Sequence, residues 1–160
     1  MMAIEEYVDD QLVETIKTKY SQDFKNAMAY VDYVQKNENV AAIYQNDKQI
    51  TDHQLKGLAF HDFITPPQII GIYVEKYYKN KFHPIVVRAK DDFGVKQVLV
   101  TIFNSRNELL EKGLAQQFLQ KERWFYFIRK DLEGQGEIRI ETMATDYPGN
   151  YAVSSQWIMV

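Results

Sequence analysis

IVVRAKDDFGVKQVLVTIF, from Ile85 to Phe103, decides how the rest of the chain is read. Ile85, Val87 and Ala89 alternate with Val86, Arg88 and Lys90, and Val98, Val100 and Ile102 alternate again beyond Gly94. A period of two is the period of a β-strand, which sends successive side chains to opposite faces. Asp91-Asp92-Phe93-Gly94 interrupts the pattern with turn-forming residues. The stretch therefore reads as two strands joined by an acidic turn. IRIETMATDYPGNYAV, from Ile138 to Val153, repeats that grammar, with a strand ending in Ala144-Thr145-Asp146 and a turn through Tyr147-Pro148-Gly149-Asn150.

Five further stretches share the period of two. Ile70, Ile72 and Val74 mark the first strand, and Leu109 to Phe118 the fourth, with a bulge expected at Gly113. Trp124, Tyr126 and Ile128 mark the fifth; Ile138, Ile140 and Thr142 the sixth; Tyr151 to Met159 the seventh. Glu133-Gly134-Gln135-Gly136 is the turn between the fifth and the sixth. Seven short strands in roughly 90 residues are the pattern of a β-sandwich.

Upstream the period is helical. Leu12, Ile16, Tyr20, Phe24, Met28 and Val31 step by four and then three, which predicts one apolar face on a long helix from about Asp9 to Gln35. Val40 to Tyr44 predicts a short second helix. Thr51 with Gln54 reads as a capping box opening a third, with Leu55, Leu58 and Ala59 as its inner stripe. Thr65-Pro66-Pro67 ends the helical region, because prolines disfavour helix before them. The fold class expected is α+β by segments: a helical region over 1–65, then an all-β seven-stranded sandwich over 66–160.

Charge and composition exclude several classes. Residues 1–67 hold 6 Lys/Arg and 11 Asp/Glu, a net of −5, while residues 68–160 hold 13 and 11, a net of +2. An acidic helical half argues against a phosphate-neutralising face, so no nucleic-acid partner is expected. With no cysteine there is no disulfide, thiolate nucleophile or thiolate-bound zinc. The acidic MMAIEEYVDD start does not read as a signal peptide, and no apolar run is long enough to span a bilayer. A cytoplasmic protein without membrane insertion is expected, or an extracellular one if a leader has been removed.

The run Ala89 to Val98, with Ala144-Thr145-Asp146-Tyr147-Pro148-Gly149-Asn150, resembles bacterial Ig-like modules of the fibronectin-III-related kind. In those modules an A-x-D-D-x-G-V turn joins strands B and C, and an A-x-D-x-x-G-N turn joins F and G. The resemblance covers Pro67 to Val160. The chain departs from eukaryotic fibronectin-III domains in lacking the early-strand Trp and the usual F-strand Tyr. Such modules serve as spacers, adhesins, phage and cell-surface ornaments and companions to enzymes, so the resemblance implies a fold and no single function.

Asp91, Asp92 and Asp146 are the calcium candidates, since loop carboxylates are typical calcium ligands and the resemblance places both turns at one end. The plainer reading is that they accept hydrogen bonds from turn N–H groups, and no metal or other cofactor is expected. His53, His61 and His83 lack zinc-ligand spacing, and no nucleophile elbow or phosphate loop is present. No catalytic residue is assigned. Phe125 and Phe127 would face outwards if Trp124, Tyr126 and Ile128 face the core, as would Leu99 and Phe103 on another strand. Apolar residues on an outer face need cover. Either the chain's own helices supply it, or these four are partner-binding residues for another protein or a second copy. The expected function is a non-enzymatic interaction or structural module, the alternatives being a carbohydrate or cell-surface binding module, a phage or surface structural component, and an enzyme with its site at the helix–sandwich junction.

Overall fold

The structure is a computed structural model that describes residues 10–46, 48–74, 84–118 and 120–160, with the side chains of residues 10–13 and 15–17 outside the description. Three helices come first: α1 (Asp10–Lys36), α2 (Glu38–Gln45) and α3 (Asp52–Ile64). Eight strands follow: β1 (Gln68–Val74), β2 (Pro84–Lys90), β3 (Val95–Asn104), β4 (Leu109–Leu114), β5 (Gln116–Gln117), β6 (Arg123–Phe127), β7 (Glu137–Asp146) and β8 (Tyr151–Met159). Internal contacts divide the chain into two compact units, Met1–Ile64 and Thr65–Val160. No helix among the described residues is long and apolar enough to cross a membrane.

In the helical unit the capping box forms as read. Thr51 N donates to Gln54 Oε1 at 2.8 Å, and Gln54 N donates to Thr51 Oγ1 at 3.2 Å. These two bonds satisfy backbone donors that the first helical turn leaves unpaired. Asn46 closes α2 in the left-handed region, at φ 41°. Leu55 and Ala59 are buried as the stripe of α3 predicts, and Ala27, Val31 and Val34 form the buried face of α1.

The apolar face predicted for α1 is only partly buried. Val31 is inside, whereas Tyr20 is 71% exposed, Phe24 57% exposed, and Met28 is exposed as well. Part of the reason is angular: the buried face centres on Ala27, Val31 and Val34, and at about 100° per residue Phe24 and Met28 fall on its flank. The rest is length. At 1.5 Å per residue α1 runs about 40 Å and α3 about 20 Å. The two run antiparallel, with Gln35 bonded to Asp52 and the Phe24 and Phe60 rings 5.9 Å apart. Phe24 still lies beside α3, and only from about Tyr20 does α1 run past that helix's end at Ile64. Leu12 and Ile16 fall outside the described side chains.

Tyr44 ties the three helices together. Its hydroxyl lies 2.7 Å from that of Tyr30 on α1 and donates to Asp62 Oδ2 on α3 at 2.5 Å. Burial, then the bond to Asp62, pushes the phenol above its ordinary pKa, so it stays a donor. Tyr44→Phe leaves the buried Asp62 carboxylate without that donor and is expected to cost about 1–3 kcal/mol. Urea unfolding followed by far-UV circular dichroism measures it; an unchanged midpoint and slope would show the bond contributes nothing.

The second unit is a β-sandwich of two four-stranded antiparallel sheets, ordered β1-β2-β6-β5 and β4-β3-β7-β8. Inward residues alternate along each strand as expected: Ile85, Val87 and Ala89 on β2, Val98, Val100 and Ile102 on β3, Trp124 and Tyr126 on β6, Ile138, Ile140 and Thr142 on β7. The strand count is eight where the sequence reading has seven, because the fourth run changes sheets. β4 pairs with β3 and β5 pairs with β6, with Ala115 between them donating its N–H to Val98 O at 2.8 Å. Period-two reading cannot see a strand that keeps its alternation while crossing from one sheet to the other.

The bulge expected at Gly113 is not there. Gly113 pairs regularly with Val100, and the register shifts instead between Ile102 and Phe103, opposite Leu110. Space explains this glycine: a Cβ on it would lie 2.9 Å from Cε2 of Tyr126. The Tyr126 ring reaches across from the other sheet over the bare backbone.

Candidate interaction face

The outer side of the β4-β3-β7-β8 sheet is built by register. Leu99 on β3 stands opposite Leu114 on β4 and Met143 on β7, and Met143 stands opposite Val153 on β8. One apolar row thus runs across all four strands. At its ends Leu114 is 58% exposed and Val153 54% exposed. Isolated exposed apolar residues are ordinary, but a continuous row on a sheet face is the kind of patch that marks a contact site.

The next row is polar: Lys112, Thr101, Glu141 and Ser155. The row beyond mixes both characters, with Leu109, Phe103, Arg139 and Trp157. Arg139 is held from several sides. Its guanidinium carbon sits 4.4 Å from the centre of the Phe103 ring and 6.0 Å from that of Trp157. Nη1 donates to Glu141 Oε2 at 2.7 Å and Nη2 to Asn107 Oδ1 at 2.5 Å. A stacked, hydrogen-bonded guanidinium is already ordered, so a partner meeting it orders little more.

The four outward residues picked from the sequence lie on opposite sides of the sandwich. Leu99 and Phe103 are half-buried in the rows just described. Phe125 and Phe127 belong to the other sheet, where Phe125 packs on Phe118 with ring centres 5.6 Å apart and Phe127 is exposed. Leu109, Leu114, Met143, Val153 and Trp157 escaped the sequence reading. Each lies on an outward position of a strand that was recognised, so the missing signal was the cross-strand register.

Turn chemistry engages the aspartates. Asp91 Oδ1 accepts from Phe93 N at 2.9 Å and Gly94 N at 3.2 Å. Asp146 Oδ1 accepts from Gly149 N at 2.8 Å and Asn150 N at 2.6 Å, and Oδ2 from Asn150 Nδ2 at 2.8 Å. Gly94 and Gly149 hold φ of 111° and 100°, values that L side chains rarely adopt. Asp92 is exposed. Burial raises the Asp146 pKa above its ordinary value, against the pull of its hydrogen bonds and with some help from the Asp91 charge. His53 and His61 are exposed, and His83 lies outside the described residues.

Glu111 was not picked out at all, and it is a buried, multiply bonded carboxylate of the sandwich. It points inward from β4, 5% exposed, and its Oε1 accepts from Tyr126 Oη at 2.7 Å and Arg129 N at 2.9 Å. Oε2 accepts from Lys130 N at 3.0 Å. Burial opposes the charge, but these donors and the Arg129 guanidinium outweigh it and hold the carboxyl below the usual glutamate range. The arrangement clamps one sheet to the segment leaving the other, a structural role.

No family model matches the chain, and no curated protein matches it. Among solved structures, it is similar to CopC from Methylosinus trichosporium OB3b, 12% identical over 59% of this chain and 92% of that one, with a TM-score of 0.46.

Proposed function

We propose that the chain is a non-enzymatic interaction or structural module, its sandwich of the Ig-like, fibronectin-III-related kind, working by presenting the outer side of the β4-β3-β7-β8 sheet to another protein or to a second copy of itself. The observation that carries this reading is the unbroken row Leu114, Leu99, Met143 and Val153, with both ends more than half exposed. The two aspartate-glycine turns and the chain's crossing between sheets at Ala115 support the Ig-like assignment. The shifted carboxylates described in the sandwich, Glu111 and Asp146, are each bonded into their own scaffold, which favours a structural over a catalytic use.

A photo-crosslinking amino acid placed at position 114, against a control at the exposed Glu133, tests this in cells expressing the chain. Discrete adducts from position 114, absent from the control, are expected. The same diffuse background from both positions would sink the proposal.

A further inference from the structure

The apolar row also carries information about what lies on it. We infer that the occupant is a second copy of this chain, stacked sheet to sheet about a two-fold axis that runs along the strands between β3 and β7. This deepens the interaction reading above and rests on it.

Charge disfavours one of the alternative geometries. The sheet order is β4-β3-β7-β8, so an axis along the strands keeps each row in place and reverses its order. Leu99 then falls on the Met143 of the second copy and Leu114 on its Val153, so the apolar row covers itself end to end. In the polar row Lys112 meets Ser155, and Thr101 meets Glu141. In the third row the Arg139 guanidinium meets a second Phe103 ring, a favourable cation–π contact. An axis across the strands, centred on the polar row, would instead place Lys112 on Lys112 and Glu141 on Glu141. Like charges desolvated against each other oppose association.

The area is sufficient for a reversible dimer. Four strands about 4.8 Å apart, each offering about eight residues at ~3.4 Å, give a face of about 500 Å² per copy. Two such faces bury about 1,000 Å² together, the lower bound for a specific interface. Area alone does not set affinity, and a dissociation constant on the order of micromolar is the weak end of what specific interfaces show. The sheets would cross at about 30°, as twisted sheets do when they pack face to face.

Sedimentation velocity of the full chain from about 1 to 200 μM is the first test, a range chosen to bracket a micromolar constant. A rise from monomer to dimer is expected; a monomer throughout overturns the inference. In that case adducts from position 114 to a different protein would leave the interaction reading standing, while no adducts would end both. Leu114→Lys and Val153→Lys, at exposed positions, are expected to weaken dimerisation at least tenfold, with Phe127→Lys on the opposite sheet leaving it unchanged. If Phe127→Lys weakens it and the other two do not, this face is the wrong one. The chain has no cysteine of its own, so thiol crosslinking is clean. Mixed Leu99→Cys and Met143→Cys chains should be joined by a short bis-maleimide, which spans the ~10 Å between stacked sheets. Lys112→Cys alone crosslinking to itself would reverse the axis and overturn the geometry, because an axis along the strands holds the two copies of position 112 at opposite edges.

Discussion

Glu111→Ala is expected to lower the unfolding free energy of the sandwich by about 2–4 kcal/mol, the cost of leaving several partly buried donors without their acceptor. Its side chain gathers the Tyr126 hydroxyl and the N–H groups of Arg129 and Lys130 into one buried acceptor. Alanine leaves all three without it, and each stranded donor costs about 1–3 kcal/mol to the extent that water cannot reach it. The ion pair to Arg129 adds little, because that side chain is 69% exposed. Equilibrium urea unfolding at neutral pH gives the difference; a loss under about 1 kcal/mol, typical of ordinary surface substitutions, would refute the clamp. The pH dependence has a definite sign. A carboxylate with a depressed folded pKa contributes stability that is complete above its unfolded pKa and is lost as pH falls through the folded value. The gap between wild type and Glu111→Ala should therefore be widest near neutrality and shrink in acid.

Asp146 has the opposite sign, and its two simplest substitutions should diverge. Alanine removes the acceptor for Gly149 N and Asn150 N in a carboxylate that is fully buried, an expected loss of about 2–3 kcal/mol. Asparagine keeps an oxygen for both N–H groups, and the Asn150 amide can rotate to present its own oxygen to the new NH₂. Because burial raises the Asp146 pKa, its ionisation costs folded stability, and that cost is absent below the unfolded pKa and complete above the folded one. Asp146→Asn is thus expected to match or exceed wild-type stability at neutral pH and to lose any advantage in acid. Thermal melts of the two variants across pH 4–8, the window that brackets a raised carboxylate pKa, check this. An asparagine variant as unstable as the alanine one at pH 7 would show that the charge itself is required.

What the sequence made legible follows from which interactions are local. The alternation of Ile85, Val87 and Ala89 reports burial directly, because each residue's face is set by its neighbours two positions away. The Thr51–Gln54 capping box is visible for the same reason. The half-exposed face of α1 was not, since the helical period says where apolar residues point and nothing about how far α3 extends. Glu111 was invisible because a lone glutamate in a strand reads as solvent-facing until Tyr126, fifteen residues on, is known to sit beneath it. The apolar row is the extreme case. Leu99, Leu114, Met143 and Val153 become neighbours only through three strand registers, and no short-range pattern encodes those.

The order of strands in the second sheet has a consequence during synthesis. β3 lies at the centre of its sheet, yet its partner β7 comes much later, with Val100 pairing to Thr142. The ribosome must add about forty residues between them, roughly 2–8 s at 5–20 residues per second. Once Val98, Val100 and Ile102 leave the tunnel, a delay of that length passes before β7 follows, with β4 as their neighbour in the sheet meanwhile. Nascent chains caught in that window would present one naked side of β3, an open edge of the kind that chaperones shield and aggregation exploits. Expression at a rate that outpaces such shielding should therefore harm yield more than the finished fold's stability would lead one to expect.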